Sequence, residues 1–222
     1  MEKFATTAPV AAVLDIPAGR VRFIAADRAD TVVEVLPADS AKGRDVKAAE
    51  QTTVEFGDGV LRIAAPAQRQ LLGAVGSVEV TVQLPTGSRV EAKAAGAELR
   101  GVGRLGDVVF EGAQGEIKLD EAASVRVTTE AGDVAIGRLG GPAEITTKKG
   151  NIRIAEAVRG EVVLRTEAGD VSVGAARGTS ATLDAGTGYG RIRNTLNNVE
   201  GAAAGLNIRV TTSYGDIEAD SL

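Results

Sequence analysis

The sequence predicts an all-β protein: a β-solenoid of coils about 17–19 residues long, led in by a less regular β portion. Three observations predict it. One phrase recurs along the second half of the chain, as EAGDVAI at 130–136, EAGDVSV at 167–173 and SYGDIEA at 213–219. The residues around each copy's glycine alternate apolar and polar, the period of a half-buried strand. The repeat is also too short for a propeller blade or a helical pair, which leaves the single coil of a solenoid.

Residues 1–88 carry strand chemistry without the period. The run VLDIPAGRVRF (13–23) sets Pro17 and Gly19 between two strand-like stretches, and Gly19 followed by Val21 and Phe23 reads as a founding coil. TVVEVL (31–36), TTVEF (52–56), VLRI (60–63) and SVEVTVQL (77–84) are further strands. Asp58-Gly59 joins the middle two, a dipeptide that accepts the positive φ angles of a tight hairpin. Two loops interrupt this part: the charged stretch 37–51, with one helical turn expected at DVKAAEQ (45–51), and PAQRQLLGAVG (66–76). Pro85-Thr86-Gly87 then turns the chain into the regular coils of 89–222, and 1–222 is expected to form one continuous domain.

In the array the turn markers are Ala97, standing in for glycine, then Gly115, Gly132, Gly150, Gly169, Gly190 and Gly215, at spacings of 18, 17, 18, 19, 21 and 25 residues. Two places after the marker stand Leu99, Ile117, Val134, Ile152, Val171, Ile192 and Ile217. Five before it stand Ala92, Phe110, Val127, Ile145, Leu164, Ala185 and Val210, and seven before it Val90, Val108, Val125, Ala143, Val162, Leu183 and Ile208. Each turn therefore lies between two short strands, and Leu105, Leu139 and Val158 form a third apolar corner. Thr129, Thr147, Thr166, Thr187 and Thr212 share the parity of the inward residues. The expectation is an inward threonine ladder in which each hydroxyl donates to the next. The insertion TLNNVEGAAAGL (195–206) accounts for the last long spacing.

Energetics requires the coils to stack. One coil buries about five apolar side chains at roughly 2 kcal/mol each, against about 1–2 kcal/mol of ordering cost for each of its ~18 residues. No coil folds alone, and only a core shared with neighbours ~4.8 Å above and below stabilises the array. Strands of successive coils are parallel, for which right-handed winding is the default.

Composition removes whole classes of function. The chain has no His and no Cys, so imidazole catalysis, Ser-His-Asp and Cys-His arrangements, disulfides and His/Cys zinc sites are impossible within it. A net charge of −5 without a Lys/Arg cluster argues against nucleic acid. No stretch approaches the ~20 apolar residues that span a bilayer. The opening MEKFATTAPVAAVLDIP, broken by Pro9 and Asp15, does not read as a secretory signal, and a cytoplasmic protein is expected.

Carboxylate chemistry is what remains. Glu116, Asp133, Asn151, Asp170 and Asp216 each follow a turn glycine and would form an acidic column interrupted by Arg191. A cation ladder is one reading of such a column. Turn-forming Asp and Asn that organise the local backbone are the other, favoured because Asn151 and Arg191 break the charge. No catalytic residue, cofactor or metal is expected. The candidate contact residues are Tyr189 and Tyr214, equivalent in neighbouring coils and expected to stack as the only aromatic pair, together with Leu71 and Leu72 in the 66–76 loop.

The runs VEVTVQLPTGSRVEAKAAGAELRG (78–101), GDVVFEGAQGEIKL (106–119), VRVTTEAGDVAI (125–136) and VVLRTEAGDVSV (162–173) resemble a bacterial β-strand-repeat family of unknown function whose members are commonly labelled putative adhesins. The resemblance covers nearly the whole chain. It implies a β-solenoid and no established activity. The functional expectation is a non-enzymatic structural or protein-interaction module, with a bactofilin-like self-assembling scaffold and a carbohydrate-active enzyme as alternatives. Protein is the expected partner and carbohydrate is not. Only EADSL follows Ile217, so the last coil in sequence is expected to be the bare end through which copies associate.

Overall fold

A computed structural model describes residues 1–65 and 76–222 of the chain; Leu71 and Leu72 lie outside the described residues. Strands dominate, with one α-helix and one short 3-10 turn among the described residues. The described chain forms two compact units, Met1–Gly115 and Glu116–Leu222.

The first unit is organised by two long strands, β2 (Ala11–Ala26) and β7 (Arg89–Gln114), which run parallel and in register from Ala11↔Arg89 to Ile24↔Val102. Gly19 pairs with Ala97, so the founding coil of the sequence reading is real. Its φ is +141°, and a Cβ there would lie 1.8 Å from the Val78 carbonyl oxygen, which only glycine tolerates. On its other side β2 pairs in parallel with β5 (Val60–Ala64) and β6 (Val78–Pro85). The period fails here because the remaining pairings are antiparallel. β1 (Glu2–Ala5) pairs with β3 (Asp30–Pro37), β3 with β6, and β4 (Thr53–Gly57) with β5. Asp58 (φ 51°) and Gly59 (φ 74°) form the two-residue turn of the β4–β5 hairpin.

Two elements exceed the sequence reading. Helix α1 (Gly43–Gln51) is nine residues long where one turn was expected, because it is anchored as well as formed: Ala48 is buried, and the buried Asp45 carboxylate accepts the Ser77 N–H at 3.0 Å. β1 was not anticipated. It brings Phe4 against Phe56 of β4, ring centroids 5.2 Å apart, a second aromatic pair in the chain that closes the outer strands β1 and β4 over one another.

Asp30, at the start of β3, accepts from Arg28 Nε at 2.6 Å and sits 2.9 Å from Lys3 Nζ. The hydrogen bond from Arg28, and next that from Lys3, hold its carboxyl at about 2 rather than 3.8. A depressed carboxyl contributes stability at and above its unfolded pKa and loses it as the pH falls through its folded value. A carboxyl-carbon NMR titration of Asp30 should give a midpoint about 2. Asp30→Asn should flatten the pH dependence of stability in the window between about 4 and about 2; a midpoint near 4 would sink the assignment.

The second unit is a stack of parallel strands in two sheets. One sheet runs from the end of β8 (Ile117–Thr128) through β10 (Ala143–Lys149), β12 (Gly160–Ala168) and β16 (Leu206–Tyr214) to β14 (Ala181–Tyr189). The other runs from the start of β8 through β9 (Val134–Leu139), β11 (Ile152–Ala157), β13 (Val171–Ala175) and β17 (Ile217–Ser221) to β15 (Ile192–Thr195). Chain order and stacking order therefore differ. The last coil in sequence, β16–β17, lies inside the stack between β12–β13 and β14–β15, and the loop through the 3-10 turn Gly201–Ala203 carries the chain back past the coil it displaces. The bare end expected after Ile217 is thus an interior layer.

Packing explains the order. In β16–β17 the inward positions are Ile208, Val210, Thr212, Ile217 and Ala219, all buried. In β14–β15 they are Leu183, Ala185, Thr187, Ile192 and Asn194, less apolar at two of five places, Ala185 for Val210 and Asn194 for Ala219. Burying the former on both sides removes more apolar surface from water, while at the end of the stack Asn194 Oδ1 accepts the Leu196 N–H at 3.0 Å. The third corner of the second unit is Leu139 and, in place of the expected Val158, Ala157, which registers with Leu139; Leu105 is buried in the first unit.

Candidate interaction surface

The turns that separate the two sheets are set by glycine. At Gly115, Gly150, Gly169, Gly190 and Gly215 a Cβ would fall 1.8–2.1 Å from the carbonyl oxygen of the marker residue in the adjoining coil. Coils approach so closely at this column that no side chain fits.

The threonines are inward, as expected, with Thr129, Thr147, Thr166 and Thr212 buried. Three of the hydroxyls run from threonine to backbone instead of to the next threonine. Thr166 donates to Gly150 O (3.1 Å), Thr212 to Gly169 O (3.1 Å) and Thr187 to Gly215 O (2.9 Å), each the turn carbonyl of the adjoining coil. Strand spacing of ~4.8 Å puts equivalent hydroxyls farther apart than a hydrogen bond, whereas the turn carbonyl is within reach.

The post-glycine column is also a ladder. Asp133 Oδ1 accepts the Asn151 N–H (2.7 Å), Asn151 Oδ1 the Asp170 N–H (2.8 Å), Asp170 Oδ1 the Asp216 N–H (2.8 Å) and Asp216 Oδ1 the Arg191 N–H (2.8 Å). Each short side chain satisfies the turn of the next coil, and the sequence of partners repeats the stacking order independently. Arg191 closes the column: its guanidinium donates to Asp216 Oδ2 at 2.7 Å, which lowers the Asp216 carboxyl below its ordinary range and raises Arg191. Among the described residues no group of three or more Asp, Glu, His or Cys is placed to hold a metal ion. Along the outer strand faces Arg126, Glu144 and Arg165 alternate across coils, as do Glu121, Arg138 and Glu156. Such exposed pairs contribute little each and mainly favour register.

What departs from the repeat is its end. Ile192 is 47 % exposed while Ile217, its in-register neighbour, is 1 % exposed. Leu183, Ala185 and Thr187 are half-buried where every equivalent in the second unit is buried, and β15 is exposed along its whole length. Beside this end Tyr189 and Tyr214 stack with centroids 5.0 Å apart and planes within 4°, at 72 % and 60 % exposure. The predicted pair is thus formed, and with Ile192, three residues from Tyr189 in the chain, it makes up the exposed large apolar side chains of this end, a kind of exposure that marks contact sites. Sequence reasoning found the tyrosines and missed the coil. The available signal was Asn194, a polar residue in a column otherwise filled by Leu119, Ile136, Ile154, Val173 and Ala219.

A family model described as Toastrack DUF4097 matches residues 14–221. Among solved structures, a putative adhesin from Bacteroides fragilis NCTC 9343 is similar at 9 % identity and TM-score 0.50, covering 98 % of this chain and 95 % of that one. A putative adhesin from Parabacteroides distasonis ATCC 8503 is similar at 15 % identity and TM-score 0.49, with the same coverage. No curated protein matches. At these identities the likeness concerns the fold alone. Among the described residues no helix is long and apolar enough to cross a membrane.

Proposed function

The chain belongs to the Toastrack DUF4097 family, matched over residues 14–221, and from that premise we propose that it is a non-enzymatic interaction module whose contact surface is the open coil β14–β15 with its flanking tyrosine pair. The observation that carries this reading is the exposure of Ile192, Tyr189 and Tyr214 at the one place in the second unit where the inward apolar row is left uncovered. Adhesin-like names among the structural neighbours fit an interaction role for this chain.

Two facts support the non-enzymatic half. The chain has no imidazole and no thiol. Every carboxyl displaced from its ordinary range, Asp30, Asp39, Glu130 and Asp216, is displaced downward by hydrogen-bonded partners. A general acid working near neutral pH needs the opposite displacement.

Affinity capture from the native cell tests the reading. Immobilised chain should retain proteins that the Ile192→Lys variant and the Tyr189→Ala/Tyr214→Ala double variant do not, with an unchanged far-ultraviolet circular dichroism spectrum. Equal capture by native chain and both variants would place the contact surface elsewhere.

A further inference from the structure

We propose that the occupant of this open coil is a second copy of the same coil, docked about a two-fold axis so that β14 of each copy pairs antiparallel with β15 of the other. The proposal rests on the reading of β14–β15 as the contact surface and names its partner.

Beyond Ala181, whose N–H donates to Asn197 O at 3.0 Å, the β14 edge lacks the usual protection. Exposed edges are ordinarily blunted with lysine, proline or inward charge, and β14, ATLDAGTGY, has neither lysine nor proline and a single charge, Asp184, on its outward face. Its inner row is apolar and half-covered, so it lacks one layer. The occupant must match a bend of two strands about one turn, and a second β14–β15 coil has that shape by construction. A two-fold axis along the bisector of the bend swaps the two arms and reverses their direction, which sets β14 against β15 in antiparallel pairing and closes the interface on itself.

Charge and parity select the register. With the axis between Tyr189 and Gly190, Ile192 lies opposite Thr187 of the second copy and Asn194 opposite its Ala185, inward against inward. Arg193 lies opposite Gly186 and Thr195 opposite Asp184, outward against outward. Arg193, which in its own copy donates to Glu218 Oε1 at 3.2 Å, is then also diagonal to the second copy's Asp184, an attractive cross-strand pair, and Gly186 and Gly188 leave room for the Arg193 and Arg191 side chains. The alternative of β14 on β14 centred at Ala185 puts Asp184 diagonal to Asp184, like against like. Two tyrosine stacks also meet beside the axis, where aromatic side chains contribute most to an interface. A contact of about ten strand residues per copy is small, so dissociation constants on the order of tens of micromolar are expected.

The absence of cysteine makes the test unambiguous. The full chain should sediment as a monomer at about 1 µM and increasingly as a dimer at several hundred micromolar, while Ile192→Lys stays monomeric throughout. Asp184→Cys and Thr195→Cys, made as separate variants and mixed under mild oxidation, should give a disulfide-linked heterodimer in at least several-fold excess over either alone. Glu55→Cys on β4 serves as the control that should not link to either. A native chain monomeric at every concentration, with no mixed cross-link, overturns the second-copy proposal alone. A dimer that survives Ile192→Lys overturns both this proposal and the contact surface on which it rests.

Discussion

Gly150→Ala is expected to unfold the second unit or to cost it about 4 kcal/mol or more, a magnitude reserved for backbone strain and irreducible clashes. The glycine adopts φ +149°, a region open in practice to glycine alone at about 1–3 kcal/mol for any other residue. An added Cβ would stand 2.1 Å from Gly132 O and 2.6 Å from Gly132 C, backbone atoms with no rotamer to retreat into. Moving the turn away is blocked as well, since the space beyond belongs to Gly169, whose own Cβ position lies 2.0 Å from Gly150 O. The comparison is Gly205→Ala, with ordinary φ and nothing within 4 Å, which should change stability by no more than about 0.5 kcal/mol. Urea denaturation of the two variants beside the native chain decides it; midpoints that move equally would refute the steric reading of the glycine column.

The second large effect reads the stacking order. Ile217 and Ile192 are the same residue type at the same place in the repeat and are cross-strand partners in register. Ile217→Ala should cost about 2–5 kcal/mol, the transfer of a buried side chain plus the cavity it leaves. Ile192→Ala should cost less than about 1 kcal/mol, because half of that surface already faces water. If coils stacked in chain order, the last coil would be the exposed one and the two costs would be reversed. Chemical denaturation of both variants measures the difference, and an equal or inverted ranking would remove the inserted coil.

Much of the fold was legible because each rule concerned a residue and its own coil. The alternation around each marker required strands, the glycines required turns, and Val134, Ile152, Val171 and Ile217 all proved to be core. The preference for a turn role over a cation column was also legible, since Asn151 and Arg191 cannot continue a row of carboxylates. The detail was missed: Asp133, Asn151, Asp170 and Asp216 satisfy the turn of the next coil rather than their own. The hydroxyl of Thr166 is the same lesson, inward as read but bonded to Gly150 O of the neighbouring coil.

The first unit shows a different limit. Helix α1 is longer than its sequence suggested because Asp45 reaches Ser77, 32 residues on. β1 exists because Thr31, Val32 and Val33 of β3 offer it an edge. Neither partner is visible from within its own segment, and local propensity is a weak prior against such contacts.

Each coil is written in its own residues: which of them turn, which point inward and which are equivalent from one repeat to the next. All of these follow from backbone sterics and from the burial of one strand face, and both act within about 20 residues. The order of the coils, and with it the place where the array ends, is set by packing in three dimensions. Equivalent coils present nearly the same edges, so periodicity cannot say which lies on which. That choice falls to the summed packing of whole layers, which put Ile208, Val210 and Ile217 inside and left Ile192, Asn194 and the tyrosine pair at the open end.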